Sequence, residues 1–312
     1  MLAGALGPLP LGESVTNQKT NPKTNQESRA ILEVENLRVS FPVVGGVFAR
    51  KVAEVQAVDG VSFDMEQGEA LGLVGESGCG KSTVGRAIVN ILRAMVYGVE
   101  MSGKIVYHHA SGPVDLTSLS RAQMRPYRTD IQMIFQDPYS SLNPRLSVGQ
   151  IVEEPLTIHT KQPPAERRAR VIRLMEKVGL SPDYIHRYPH EFSGGQRQRI
   201  GIARALATNP RIVIADEPVS ALDVSIQAQV VNLMQDLQQE FGLSYVFIAH
   251  DLSVVRHISK RIAVMHKGQI VEMGQAEDIY QHPQHSYTQT LLAAVPRPDP
   301  ERARRRRRIS TE

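Results

Sequence analysis

Gly75-Glu76-Ser77-Gly78-Cys79-Gly80-Lys81-Ser82-Thr83 fits the spacing G-x-x-x-x-G-K-[ST]. The chemistry accounts for each position. Glycines let the backbone turn tightly, so that consecutive N–H groups face inward as a nest for an anion. Lys81 adds a point charge suited to the outer phosphates of a nucleoside triphosphate, and the Ser82 hydroxyl suits Mg²⁺. Ala70-Leu71-Gly72-Leu73-Val74, just before, reads as a short buried strand, and Thr83 to Leu92 (TVGRAIVNIL) reads as a helix. A strand feeding a glycine loop at a helix N-terminus is the arrangement that binds phosphate. By itself the loop says only that a triphosphate binds.

Downstream, three apolar runs end in polar residues. Ile131 to Phe135 ends at Gln136-Asp137-Pro138, Arg211 to Ala215 at Asp216-Glu217-Pro218, and Tyr245 to Ala249 at His250-Asp251. Such runs suit buried parallel strands, and an α/β sheet gathers its ligand contacts beyond the strands' carboxyl ends. One carboxylate there, Asp216, suits Mg²⁺; the second, Glu217, suits polarising an attacking water. His250 is expected at the γ-phosphate. Ser220-Ala221-Leu222-Asp223 follows the acidic pair and leads into a helix from about Val224 to Phe241.

Between the first two runs the pattern turns helical. Val171, Leu174, Met175 and Val178 recur at helical spacing before Gly179, which predicts an amphipathic helix over Arg167 to Val178 in an inserted helical lobe. Phe192-Ser193-Gly194-Gly195-Gln196 then opens another helix. Ser193 is a good N-cap, and the bare glycine amides make a second anion site.

Upstream, residues 1 to about 30 are rich in Asn, Thr, Gln, Pro and Gly, and disorder is expected. Ile31 to Phe41 alternates as a half-buried strand ending at Phe41, a loop (Pro42 to Glu54) follows, and Val55 to Val58 and Val61 to Met65 continue the β pattern. Ser102 to Tyr107 reads as a strand. Ile262 to Met265 and Gln269 to Glu272 read as a hairpin about Lys267-Gly268.

The bulk properties exclude several classes. The chain of 312 residues has one cysteine, Cys79, which rules out an internal disulfide or a multi-cysteine metal cluster. No apolar run is long enough to span a bilayer, and no basic residue precedes the short apolar start, so a cytoplasmic protein is expected. Of the net charge of +4, the run from Arg302 to Arg308 supplies more than all; without it the chain is slightly acidic. A nucleic-acid partner is therefore not expected.

In this order the pieces resemble the ATP-binding-cassette (ABC) transporter ATPases, over roughly residues 32 to 300. Gly75 to Ser82 matches the phosphate (Walker A) loop, Gln136 the Q-loop, and Ser193-Gly194-Gly195-Gln196 the signature. Asp216-Glu217 matches the Walker B pair, Asp223 belongs to the D-loop, and His250 matches the switch histidine. Phe192 stands where Leu is usual. Phe41 lies where the family stacks an aromatic on adenine, and Phe48 is the alternative. Gln136-Asp137-Pro138-Tyr139-Ser140-Ser141-Leu142-Asn143-Pro144-Arg145 and His282-Pro283-Gln284-His285-Ser286-Tyr287-Thr288 look like the oligopeptide/dipeptide/nickel importer subfamily, with Ser286 in place of its usual Pro.

The resemblance implies an α/β P-loop fold with an antiparallel N-terminal part. Its implied divisions are an ATPase domain over 31–272 with a helical subdomain near 138–195, a C-terminal extension over 273–300 and an Arg-rich tail over 301–312. Residues 75–83 would bind ATP; Ser82, Asp216 and Gln136 would hold Mg²⁺; Glu217, His250 and Gln136 would serve hydrolysis. Ser193 to Gln196 would meet a partner's ATP. The implied partners are a second cassette ATPase, identical or not, two transmembrane permeases at the inner membrane and, indirectly, an extracytoplasmic solute-binding protein. Peptide import leads; import of nickel, glutathione or another small solute is the alternative, ahead of a soluble cassette of DNA repair or translation.

Overall fold

The computed structural model describes residues 30–45 and 50–294. The expectations for the first 29 residues, for Phe48, for the end of the C-terminal extension and for the Arg tail lie outside the described residues. Two long strands open the fold, β1 (Ala30–Gly45) and β2 (Arg50–Glu66). They pair antiparallel as far as Gly45 opposite Arg50, with Phe41 opposite Val55. The strand therefore runs past Phe41, and the expected loop from Pro42 to Glu54 is mostly hairpin. The reason lies in the neighbours. A later strand covers the other edge of β1 only up to Ser40, so Pro42 sits on an edge, where a missing N–H costs no ladder bond.

β3 (Ala70–Val74) leads through the glycine loop into α1 (Lys81–Ile88), and α2 (Leu92–Met95) follows. One helix was expected to reach Leu92. It breaks because Asn90 takes a left-handed conformation (φ 52°) and its side-chain amide donates to Leu116 O and Leu119 O at 2.8 and 3.2 Å. β4 (Glu100–His109), β5 (Gly112–Asp115) and β6 (Ile131–Ile134) come next. Phe135 falls outside its expected strand and is 37% exposed.

The helical lobe holds α3 (Val148–His159) and α4 (Pro164–Lys177) and leads into α5 (Gly194–Leu206). α4 buries Val171, Leu174 and Met175, the stripe its spacing announced. Then come β7 (Ile212–Asp216), α6 (Val224–Phe241), β8 (Ser244–Ala249), α7 (Leu252–Ile258), β9 (Arg261–His266), β10 (Gln269–Gln275), α8 (Ala276–Gln281) and α9 (Ser286–Ala293). Among the described residues no helix is long and apolar enough to cross a membrane.

The strands form two sheets, β2-β1-β4-β5 and β10-β9-β3-β8-β7-β6. In the second, β9, β3, β8, β7 and β6 are parallel and β10 is antiparallel. Period-2 alternation decides which layer each side chain joins. Leu71, Leu73, Ile212, Ile214, Val246 and Ile248 face α1 and the first sheet. Val213, Ala215, Tyr245, Phe247 and Ala249 face α5, α6 and α7. That second cluster runs without a break into the helical lobe through Ala203 and Leu206 of α5, so the lobe shares its core with the sheet.

Tyr245 carries an unusual feature. Its ring is fully buried, its hydroxyl has no hydrogen-bond partner, and burial raises its pKa well above the ordinary tyrosine range. An unpaired buried hydroxyl costs about 1–3 kcal/mol. Tyr245→Phe is expected to leave the fold intact and stabilise it by about 1 kcal/mol, read as the shift in a urea midpoint at constant slope.

A second stability element ties down the C-terminus. Partial burial alone would raise the pKa of Glu272 on β10. The N–H groups of Gln284 and His285, donating at 2.8 and 3.0 Å, outweigh it and hold the carboxyl below its ordinary value. A depressed carboxylate pKa stabilises at pH above the unfolded value and is lost as pH falls through the folded one. The protection factors of the α9 amides are therefore expected to fall selectively on acidification through the lower carboxylate range. Glu272→Gln is expected to remove that pH dependence.

Candidate active site

Gly80 shows why the loop needs glycine. Its φ is +105°, and an added Cβ would stand 2.2 Å from the carbonyl oxygen of Ala57 on β2. The loop is thus pressed against the first sheet as it enters α1. Lys81 is only 4% exposed, and its ammonium donates to Gly75 O at 2.7 Å and Glu76 O at 2.8 Å. Burial pushes the neighbouring Cys79 thiol up in pKa; Lys81 opposes this without reversing it, so the thiol stays protonated. Ser77 and Gly78 are exposed at the loop's crest, and Ser82 and Thr83 are half-buried in the first turn of α1.

The strand register brings the other groups level. Val74 pairs with Ala249, Asp216 with Ile248, and Ile134 with Ala215, so the carboxyl ends of β3, β8, β7 and β6 open on one rim. Glu217 leaves β7 with a left-handed backbone (φ 45°), and its N–H donates to Ile248 O at 2.9 Å. For a residue with a side chain that conformation is strained, and such strain gathers at functional sites. Here it aims the carboxylate at two neighbours. Gln136 Nε2 donates to Glu217 Oε2 at 2.9 Å, and His250 Nδ1 lies 3.5 Å from the same oxygen. Beside them is a cavity of about 40 Å³ lined by Glu217, Ser220, Ala249, His250 and Asp251. That is room for a water among polar partners.

Asp216 is fully buried. Desolvation raises its pKa, against the Ser82 hydroxyl, which donates to Oδ1 at 2.6 Å, and against Arg86. Its Oδ2 has no hydrogen-bond partner, and Arg86 Nη2 stands 3.7 Å away. A buried carboxylate oxygen left without a hydrogen bond beside a hydroxyl is a donor set that fits a hard divalent cation. Arg86 is missing from the sequence reading, although its place four residues after Ser82 puts it on the same helix face.

The remaining expected residues form a second group. Ser193 caps α5, with its hydroxyl accepting from Gln196 N–H at 3.4 Å and Gln196 Oε1 accepting from Ser193 N–H at 3.1 Å. Gly194 faces Leu222, and a Cβ on Gly195 would stand 2.6 Å from Ile226 Cγ2, so this turn abuts the start of α6. Asp223 caps α6 by accepting from Ile226 N–H at 3.0 Å. Arg197 lies over the Tyr139 ring at 4.0 Å, which links the Gln136 segment to α5. Phe41 is half-buried on β1 against the α1-side core, apart from this group.

Residues 58–220 match the sequence profile described as ABC transporter, and residues 271–312 the one described as oligopeptide/dipeptide transporter, C-terminal region. The chain is 52% identical over 273 residues to an oligopeptide transport ATP-binding protein, AppF, of Bacillus subtilis, covering 87% of this chain and 79% of that one. It is 51% identical over 285 residues to the oligopeptide transport ATP-binding protein OppF of Salmonella typhimurium, covering 90% and 82%. It is also 52% identical to a glutathione import ATP-binding protein, GsiA, of Pectobacterium atrosepticum, covering 88% of this chain but only 42% of that longer protein. Among solved structures, the post-hydrolysis dimer of the ATP-binding cassette MJ0796 bound to ADP and Pi superposes with a TM-score of 0.64 at 28% identity, covering 78% of this chain and 98% of that one. A phosphate loop facing a strained acidic strand end thus sits in a chain half-identical to transport ATP-binding proteins, and the chain belongs to the ABC transporter family as one of its ATP-binding proteins.

Proposed function

We propose that this chain is the ATPase subunit of an importer for short peptides, acting in a pair of cassettes on two permease subunits at the inner membrane. The observation that carries the catalytic part is the convergence of Gln136 and His250 on one oxygen of Glu217. In this reading the loop amides and Lys81 bind the ATP phosphates. Glu217 polarises the water that displaces ADP from the γ-phosphoryl group, while Gln136 and His250 hold the carboxylate in line. Ser82 and Asp216 would hold Mg²⁺, with the Gln136 amide as a further ligand. Once bound, the ion neutralises charge on the phosphates. Such chemistry is mostly positioning, so the groups act only when assembled.

Ser193 and the Gly195 amide form the other half-site, closing over the partner's γ-phosphate. The Ile226 and Leu222 contacts favour this, because they tie the 193–196 turn to α6 and so to the Walker B side of the same chain. The permease is assigned to a groove of about 210 Å³ between the sheet and the helical lobe, which presents Phe135, Pro155, Ile158 and His159. Phe135 and Ile158 are 37% and 51% exposed, which suits an apolar docking helix. The peptide assignment rests on the C-terminal profile match and the two oligopeptide relatives.

An uptake assay in a deletion strain tests the solute. Loss of labelled di- and oligopeptide uptake, restored by the gene, is expected, with nickel uptake retained. Loss of nickel or glutathione uptake alone would overturn the peptide assignment. Co-expression with the neighbouring permeases should bring the chain down with membranes; a chain that stays with ribosomes or DNA would favour a soluble cassette instead.

A further inference from the structure

The phosphate loop is gripped from a part of the chain that phosphate chemistry does not explain. The Glu76 N–H donates to the hydroxyl of Tyr287 on α9 at 3.0 Å, across 211 positions of sequence. Gly75 O, in the same peptide unit, and Glu76 O, in the next, accept the Lys81 ammonium. Tyr287 thus holds the peptide unit that carries one of the two carbonyls gripping the phosphate-binding charge.

Contacts on both sides make the grip stiff. The Tyr287 ring lies against His266 at the end of β9, with ring centroids 3.9 Å apart. The neighbouring turn joins in, for Gly268 N–H donates to Cys79 O at 3.0 Å, so the loop is held near both ends. Tyr287 is in turn fixed from behind. Its N–H donates to His285 Nδ1 at 3.1 Å, and Glu272 accepts the N–H groups of Gln284 and His285.

We propose that Tyr287 is a positioning residue for ATP binding, through which the C-terminal extension becomes part of the nucleotide site. The inference rests on the assignment of residues 75–83 as the ATP loop. When phosphate arrives, Lys81 must turn from the Gly75 and Glu76 carbonyls toward it. A peptide segment already fixed by Tyr287 loses little freedom in that exchange, and preorganisation of this kind appears as affinity. The hydroxyl touches the loop assigned to the phosphates.

Tyr287→Phe isolates the effect, because it keeps the ring against His266 and removes only the acceptor. In titrations of the full chain with ATP and Mg²⁺, its Kd for ATP is expected to rise about fivefold, the worth of one ordinary hydrogen bond. Its adenosine affinity is expected to match the wild type, and its Tm to fall by no more than the few degrees that one hydrogen bond is worth. Glu272→Gln, which loosens the anchor and spares the hydroxyl, is expected to move the ATP Kd in the same direction by less. An unchanged or lowered ATP Kd in Tyr287→Phe overturns the proposal, as does a parallel loss of adenosine affinity and Tm. Lys81→Ala separates this from failure of the ATP assignment. If it weakens ATP binding while Tyr287→Phe does not, only the role of Tyr287 falls; if it leaves ATP binding unmoved, the loop assignment falls with it.

Discussion

Glu217→Gln is expected to lower ATP turnover by about 10²–10⁴-fold, the usual contribution of a positioned general base. The substitution keeps size and shape, and the side chain is only 11% exposed, so the change is confined to charge. The Gln136 amide would then donate to a neutral oxygen, and His250 would face no anion. ATP affinity should survive, because the loop amides and Lys81 are untouched. The expected signature is a pair of chains that forms with ATP and persists, seen as an ATP-dependent dimer in gel filtration beside absent phosphate release. Wild-type phosphate release from the variant would remove Glu217 from the reaction.

Lys81→Ala is expected to weaken ATP binding by roughly ten- to a hundredfold, corresponding to about 1.5–3 kcal/mol for a hydrogen-bonded charge. The ammonium is almost wholly buried in the loop, where it is held by two carbonyls and can swing to a phosphate without crossing water. Its removal also leaves Gly75 O and Glu76 O without their donor, so the loop itself slackens. Adenosine lacks phosphates and should bind the variant as it binds the wild type. Equal losses for ATP and adenosine would mean that the substitution damages the fold and not the charge.

Much of this was legible in the chain because local chemistry specified it. Gly75 to Thr83 has one good use, and Ser193 caps its helix as read, with Gln196 completing a capping box. The continuous apolar runs of β7 and β8 announce buried strands, and the polar residues that end them had to meet if those strands were parallel neighbours. Other positions misled for definite physical reasons. Phe41 looks like a strand end because Pro42 follows, yet an edge strand carries Pro without loss. The helix after the loop looks continuous to Leu92, but Asn90 finds better partners in the carbonyls of Leu116 and Leu119.

What the sequence alone determined is the inventory: a phosphate nest with its lysine, two acids, an amide and a histidine at strand ends, and a capped glycine turn. Each is set by residues within a few positions of one another, so short-range geometry suffices to read it. Only the tertiary structure decided who touches whom. That Gln136 and His250 share one oxygen of Glu217, that Asp216 Oδ2 faces Arg86 without a hydrogen bond, and that Tyr287 holds the Glu76 amide all depend on strand order and register. Those are fixed by the packing of two apolar faces against opposite layers, a long-range balance that no local motif encodes.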